Sequence, residues 1–482
     1  MIIDIETRAD DLYISYFNKA GEIDYISVPL KPRDMFNWEE AYSYEGAQGV
    51  TTWDDKPVKK VNKTDKKFEW KNPNREFFRL SKYRIEEILA ENAELVAPAR
   101  EYNKPKKHFI DIETEVTDGF PDAESAENRV LTIAIANDRG KIHILGLEDL
   151  TAEEIVAIEK SVNDYFEKAG VFKRFKSEPW IVNYIKFNSE YDMLYTFFSR
   201  MVPKMSCLTG WNFIDYDWKY LINRCAKVSP KIDPAICSVS ARLHGKNRLP
   251  LHRLVVDYLE IYKKWDRSIK IKESNKLDYV AEKAIGVGKI KYGGNLKDLY
   301  TRDFFHFVFY NAIDAALIHY LDQKLNTMST FLSLAHVSQV EINKAFSPIW
   351  QTEAMMTREF LSMNKVFLER KKDDQEQKEF EGAYVKQPVI GMHHYVTCYD
   401  FASLYPNTMM QFNISPETYC GKKNKVELRP GEILTASGAV FLNDHDSVLR
   451  KILKNLYSRR KSTKGDYLQV EKEKAYLQKL LS

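Results

Sequence analysis

Strict alternation of apolar and polar positions opens the chain. Residues 12–17 (Leu-Tyr-Ile-Ser-Tyr-Phe) and 23–28 (Ile-Asp-Tyr-Ile-Ser-Val) flank a polar, glycine-containing connection at 18–22, which predicts a β-hairpin. Residues 81–92 have helical period, and the polar, proline-containing stretch 103–106 reads as a junction. Strand and helix patterns then alternate from 107 to about 328. Strand patterns fall at 108–113, 180–185 and 254–259, and a second hairpin joins 130–136 to 141–145 through Asp138-Arg139-Gly140. Helical patterns fall at 151–168, 190–201 and 215–225, the last entered through the extended stretch 206–211, and a long apolar, aromatic helix is expected at 303–324. This alternation predicts an α/β domain with a mixed sheet. A helical segment runs from 330 towards 364, followed by charged residues 370–381, Gly382-Ala383-Tyr384-Val385 and a β-branched run at 395–399 expected to be a strand. The stretch 446–482 is helical and basic, with Val448, Ile452, Leu453, Leu456 and Tyr457 forming an apolar stripe. There are no internal repeats and no low-complexity linkers.

Composition narrows the class. A chain of 482 residues has length for several domains. It has no run of about 18 apolar residues, so no membrane span is expected. Its start lacks a basic region followed by an apolar one, so residence in the cytosol is expected. The five cysteines are scattered and never form a C-x-x-C pair, which argues for reduced thiols and against a disulfide frame or a zinc site. The net charge is only +3, too small for bulk electrostatics to announce nucleic acid. Between Lys56 and Arg84, however, basic residues alternate with Trp70, Phe77, Phe78 and Tyr83. That mixture suits a phosphate-contacting surface, and equally a solvated basic face.

The acids carry the sharper signals. The run at 395–399 ends at Asp400, followed by Ser403-Leu404-Tyr405-Pro406 and an amphipathic segment at 407–412. Strand, acid, turn and helix in that order hold a metal-binding carboxylate well; helix capping is the plainer reading of the acid alone. Asp111-Ile112-Glu113 lies on a strand, where period 2 turns both carboxylates to one face. Roughly two such D-x-E strings arise by chance in a chain of this length, and Asp4-Ile5-Glu6 repeats the same three residues. Downstream acids break the tie. A strand turns through Gly210 into a helix bearing Asp217, and Tyr310 and Asp314 stand at i and i+4 on the long helix. Asp4 has no such companions, so Asp4 and Glu6 read as structural, Glu6 as a surface group near the first hairpin.

Together these three elements resemble the motifs of DEDDy 3′-5′ exonucleases, and Asp-x-x-Ser-Leu-Tyr-Pro at 400–406 resembles the first catalytic motif of B-family DNA polymerases. The whole chain resembles the N-terminal portion of the T-even-type phage members of that family. Phe120-Pro121-Asp122, Asn223-Arg224, Asp257-Tyr258-Leu259, Tyr262-Lys263-Lys264 and Asn413-Ile414-Ser415-Pro416-Glu417-Thr418 also carry the likeness. The implied fold is α/β and multi-domain. A small β-rich N-terminal domain (1–106, completed by about 330–372) precedes an RNase H-like exonuclease domain (107–329), a partial α+β palm (373–445) and the first fingers helix (446–482).

The resemblance implies two Mg²⁺ ions per site, with Mn²⁺ able to substitute. Asp111, Glu113 and Asp314 would hold one exonuclease ion, Asp111 and Asp217 the other, and Tyr310 would orient the attacking water. In the palm, Asp400 and the carbonyl of Phe401 would bind metal, Leu404 and Tyr405 would pack under the incoming sugar with Tyr405 as steric gate, and Arg460 and Lys464 would meet the triphosphate. Residues Gly245, Lys246, Asn247 and Arg248 would form the tip of a strand-separating hairpin. Implied partners are primer-template and single-stranded DNA, dNTPs, and, through a further polypeptide, the replisome clamp. The expected place of work is the cytoplasm of a phage-infected bacterium.

The second palm aspartate of the family, in an Asp-Thr-Asp-Ser string, does not occur among these residues. The leading expectation is therefore the N-terminal part of a replicative polymerase, either naturally split, with the second carboxylate and thumb on another polypeptide, or a truncated product or incomplete gene model of one; the split enzyme is favoured. A stand-alone exonuclease with an inert palm, and a non-enzymatic DNA- or RNA-binding regulator, are the alternatives.

Overall fold

A six-stranded mixed sheet, seen in a computed structural model of the chain, supports the strand-borne acids. The structure describes residues 1–8, 11–31, 35–42, 49–62, 80–116, 119, 121–266, 273–291, 293, 296–367, 384–423 and 427–481. The expected phosphate-contacting surface falls largely outside these residues, as do the charged stretch 370–381, Gly382, Ala383 and Phe120. The described chain forms two compact units, residues 1–30 with 92–352, and residues 31–91 with 353–482.

Strands β1 (Ile2–Thr7), β2 (Asp11–Phe17) and β3 (Ile23–Pro29) form an antiparallel sheet in the first unit, β2 and β3 being the predicted hairpin. The second unit holds β4 (Phe36–Glu40), β5 (Thr51–Thr52) and β6 (Val58–Asn62). The first unit continues with β7 (Lys107–Thr114), β8 (Val130–Asn137), β9 (Lys141–Gly146), β10 (Ile181–Lys186), β11 (Cys207–Gly210), the short pair β12 (Leu243–His244) and β13 (Leu249–Pro250), and β14 (Leu254–Asp257). The large sheet runs β10-β9-β8-β7-β11-β14, with β8 antiparallel to both β7 and β9 and the outer pairings parallel.

Both faces of this sheet are covered, which is why its strands read as nearly continuous apolar runs. Ile110 and Ile112 of β7 pack with Leu208, Phe213 and Phe197. The helix Phe304–Leu325 packs on β7 and β8 and is buried around most of its circumference. Small Ala134 and Ala136 of β8 leave room for that approach. At the other end of the helix, Lys107 pairs with Asp322, and Trp180 Nε1 donates to Tyr320 Oη at 2.9 Å. The helix Ala152–Lys168 begins in a capping box between Thr151 and Glu154.

Several expected elements take a different form. Strand β14 ends at Asp257, whose carboxylate accepts the Leu259 N–H and starts the helix Tyr258–Trp265 two residues earlier than the apolar run suggests. The segment expected as helix 190–201 is α-helical over Glu190–Thr196 and then widens into a π-turn, Phe197–Met201. The segment from 330 to 364 is two helices, Thr327–Ser338 and Pro348–Ser362, broken where Gln339 turns left-handed at φ 49°. Glu6 is not a surface group: its side chain is only 11% exposed and is held by Arg8, Arg242 and His252.

In the second unit β4 pairs with β6, and β5 with β15 (Lys365–Val366). Strands β16 (Tyr419–Lys422), β17 (Glu432–Leu434) and β18 (Ala439–Leu442) form a three-stranded sheet. The helix Val448–Leu481 packs its first turns, through Val448 and Ile452, on Met356 and Phe360. Its start is fixed by Asn413 and Glu417. Asn413 donates to the carbonyls of Leu442 and His445 and accepts the Ser447 N–H, and Glu417 accepts the Val448 N–H. The strand expected at 395–399 is not formed. The residues are exposed, Tyr395 is left-handed at φ 58°, and no described strand pairs with them. Without a neighbouring ladder, β-branched side chains alone do not make a strand.

Candidate active site

The face of β7 opposite its core isoleucines carries Asp111 and Glu113, and the helix Phe304–Leu325 brings Asp314 over them. One carboxylate oxygen from each of Asp111, Glu113 and Asp314 lies within 4.8 Å of the others. Asp217 joins through the main chain of the strand. Its Oδ1 accepts the N–H of Ile112, the residue between the two β7 acids, at 3.1 Å. Asp217 reaches that position because β11 ends at Gly210, where a Cβ would meet the Ile110 carbonyl oxygen at 2.3 Å. The chain then turns through Asn212 (φ 62°) into a π-turn, Ile214–Trp218, ahead of the helix Lys219–Val228. A wide turn of this kind commonly marks a functional position inside a helix.

Four acids so placed repel one another. Burial, then the charge of Asp314, pushes the Asp111 carboxyl up to about 7. Burial and then Asp111 raise both Glu113 and Asp217 well above the usual carboxylate range, and burial raises Asp314 although Lys289 opposes it. Such a group is stable as a set of anions only with added positive charge. Lys289 supplies part of it, pairing with Asp314 and donating to Tyr310 Oη at 3.1 Å. Burial opposes the Lys289 charge, but Asp314 and Tyr310 outweigh it and hold the ammonium well above its ordinary range. The Tyr310 phenol is driven far up, by burial first and then by Asp314, so it is a hydrogen-bonding group and not a base near neutrality.

The cluster fits a divalent metal on the chemistry of its donors. All are hard carboxylate oxygens. Asp314 Oδ1 is buried and has no hydrogen-bond partner among the described residues, an orphan that a cation would satisfy. Among the described residues this is the only group of three or more acidic, histidine or cysteine side chains arranged to hold an ion.

The structure does not bring Asp400 into any such group. Asp400 and Phe401 are exposed in an irregular run, and the helix Leu404–Gln411 begins at Leu404 with Tyr405 exposed. Arg460 Nη1 lies 3.5 Å from Ser403 Oγ, and Lys464 is exposed one turn further along the same helix. Gly245, Lys246, Asn247 and Arg248 form the exposed turn between β12 and β13, with Gly245 left-handed at φ 69° and Arg248 at 50°.

Comparison with known proteins gives two family matches. Residues 79–280 match the exonuclease domain of DNA polymerase family B, and residues 349–481 match DNA polymerase family B. The chain belongs to the B family of DNA polymerases. The DNA-directed DNA polymerase of Escherichia phage RB69 is 26% identical over 405 residues, which cover 77% of this chain and 43% of the relative. That of Enterobacteria phage T4 is 27% identical, covering 50% and 28%, and DNA polymerase 1 of Saccharolobus solfataricus is 25% identical, covering 69% and 38%. In each case the match spans less than half of the relative's own length. The exonuclease match contains Asp111, Glu113 and Asp217, while Tyr310 and Asp314 lie beyond it, so their place in the site rests on the geometry above.

Two members of the cluster escaped the sequence reading. Lys289 lies in a loop with no periodic pattern, and only its closeness to Gly286 and Gly288 hinted that the backbone there is special. Asn311 stands between Tyr310 and Asp314 with no motif of its own to mark it. Its i, i+3 relation to Asp314 was the available signal.

Proposed function

We propose that this chain carries the 3′-5′ exonuclease of a family B phage DNA polymerase and the first half of its polymerase site. The observation that carries the exonuclease reading is the convergence of Asp111, Glu113 and Asp314 to within 4.8 Å, with Asp217 bonded to the intervening amide. The sheet order and its one antiparallel strand support an RNase H-like arrangement.

Asp111, Glu113, Asp217 and Asp314 would hold two Mg²⁺ ions, or Mn²⁺ in their place. Ions bound there supply Lewis acidity and charge to an in-line displacement at phosphorus. The chain's own residues do the rest. The β7 strand and the long helix fix the carboxylates. Tyr310, with a phenol that keeps its proton, orients the attacking water by hydrogen bonding, and the Lys289 ammonium brings positive charge beside the scissile phosphate. The substrate is the 3′ end of single-stranded DNA, delivered from a primer-template and parted by the turn at 245–248.

In the palm, Asp400 and the Phe401 carbonyl would take up metal with the incoming dNTP, Tyr405 would reject a 2′-hydroxyl, and Arg460 and Lys464 would meet the triphosphate. A further polypeptide segment bearing a second palm carboxylate, through which the clamp is reached, would complete the site. The exposed apolar run that includes Ile390, Tyr395, Val396 and Tyr399 supports such a covering partner. This work would take place in the cytoplasm of an infected bacterium.

The test is degradation of 5′-labelled single-stranded DNA with and without Mg²⁺. Asp111→Ala with Glu113→Ala abolishes it if the reading holds, and survival of the activity overturns it.

A further inference from the structure

Asn311 is fully buried on the long helix, and its contacts run to two strands at once. Its Nδ2 donates to Asp111 Oδ2 at 2.8 Å and to the Asp111 carbonyl at 3.3 Å, gripping that residue by side chain and main chain together. Its Oδ1 accepts the Thr132 hydroxyl at 2.9 Å, and Thr132 is fully buried on β8, directly opposite Glu113. The chemistry of the partners sets the direction of this chain. An ionised carboxylate and a carbonyl only accept, so the amide must present its NH₂ to Asp111 and its oxygen elsewhere. Thr132 is the group that holds the oxygen, since its hydroxyl can donate to it. A buried amide lacking that donor would leave an unsatisfied oxygen.

We infer that Asn311 and Thr132 are positioning residues of the metal centre, a relay from β8 through the long helix that fixes the Asp111 carboxylate in its metal-binding orientation. The inference rests on the proposed exonuclease centre and deepens it. Each carboxylate oxygen has two lone pairs, so the bond from Asn311 orients Asp111 without using up its capacity for an ion. The relay also sets the spacing of the cluster. Asp111 is gripped by the residue one turn before Asp314, and the grip is anchored to the cross-strand neighbour of Glu113, so all three ligands share one frame. Outer-shell partners of this kind typically change metal affinity by about 10–100-fold when removed.

Mn²⁺ binding by the full chain, without DNA, tests this through the loss of the electron paramagnetic resonance signal of free Mn²⁺. N311L keeps the branched shape and removes all three bonds, and it should bind Mn²⁺ about 10–100-fold more weakly. T132V keeps the shape and loses the hydroxyl, and should weaken binding in the same direction but less. T132S, which keeps the hydroxyl and loses a methyl, should restore wild-type affinity. The Mg²⁺ concentration for half-maximal degradation of single-stranded DNA should rise in the same order, and melting temperature in EDTA checks folding. If N311L does not fold, the contrast between T132V and T132S decides. Equal affinity in N311L and wild type overturns the inference, as does equal weakening in T132V and T132S, which would mean packing alone. D111A separates the two levels. If D111A loses Mn²⁺ while N311L retains it, only the relay is wrong; if D111A binds as wild type does, the metal centre itself is wrong.

Discussion

Asp217 Oδ1 accepts the main-chain N–H of Ile112 at 3.1 Å, so the acid from one segment is bonded to the peptide between the two acids of another. This contact separates the structural duty of Asp217 from its chemical one. Asn at 217 keeps an oxygen for the Ile112 N–H but removes the charge that burial and Asp111 make costly. D217N should therefore melt no lower than wild type in EDTA. Its degradation of single-stranded DNA should fall by more than the about 100-fold typical of losing an outer-shell partner. A lower melting point with activity retained would reduce Asp217 to a structural acceptor.

Lys289 neutralises Asp314 when no metal is present, and its removal should be felt most under that condition. K289M leaves a fully buried carboxylate without its ion pair, a change that costs about 3–5 kcal/mol when neither partner is solvated. The Lys289 side chain is 31% exposed, so solvent screening should hold the loss to the lower end of that range or below it. Thermal unfolding should show a clear drop in EDTA. The drop should narrow in Mg²⁺, because an ion that binds only the folded state adds stability in proportion to the logarithm of its concentration over Kd. An equal drop in both conditions would mean that Lys289 and metal do not compete for the same charge.

The sequence marked the four acids proposed for the exonuclease centre because each sits where secondary structure repeats predictably: two on a strand at period 2, one entering a helix, one at i+4 from Tyr310. It marked neither Asn311 nor Lys289. A buried amide and a loop lysine have no periodic signature, and their partners are distant in sequence, 179 residues in the case of Thr132. The strand expected at 395–399 failed for a related reason. Its side chains suit a sheet, but a strand exists only where another backbone pairs with it, and that information is not local. Asn413 and Glu417 were legible as part of a family string but not as the residues that start the helix Val448–Leu481.

The second D-x-E predicts a pH effect on stability and none on catalysis. Asp4 accepts from the His252 N–H at 2.8 Å and from Asn343 at 3.2 Å, and faces Glu341 and Lys344. Burial first, and then Glu341, raise its carboxyl to about 7. The folded state thus holds a proton that the unfolded chain releases from about pH 4, and stability falls as pH rises from there to about 7. At 1.36 kcal/mol per unit the full effect is on the order of 4 kcal/mol. D4N has no such proton, so its melting temperature relative to wild type should climb from pH 4 to pH 7 and then level off. D4N should also degrade single-stranded DNA at the wild-type rate. A large loss there would show that the wrong acid pair was chosen.

The exposed run around Asp400 predicts an order that depends on a partner. Residues 384–402 have no strand or helix of their own, and Val396, Tyr399 and Phe401 face solvent where a palm would bury or pair them. Their amides should exchange with deuterium near the rate of unstructured chain, while those of β7 and β8 in the first unit stay protected. The proposed nucleotidyl transfer would need a second carboxylate beside Asp400, and Asp400 belongs to no such cluster among the described residues. Primer extension by these 482 residues alone should therefore be undetectable, even where single-stranded DNA is degraded. Adding a polypeptide that carries the second palm carboxylate should slow exchange across 395–399 and bring extension with it, because strand pairing and metal-site completion are then one event. In that reconstituted complex D400A should keep the exchange protection and lose extension. Protection without extension in the unsubstituted complex would mean that the partner covers the palm but does not complete it.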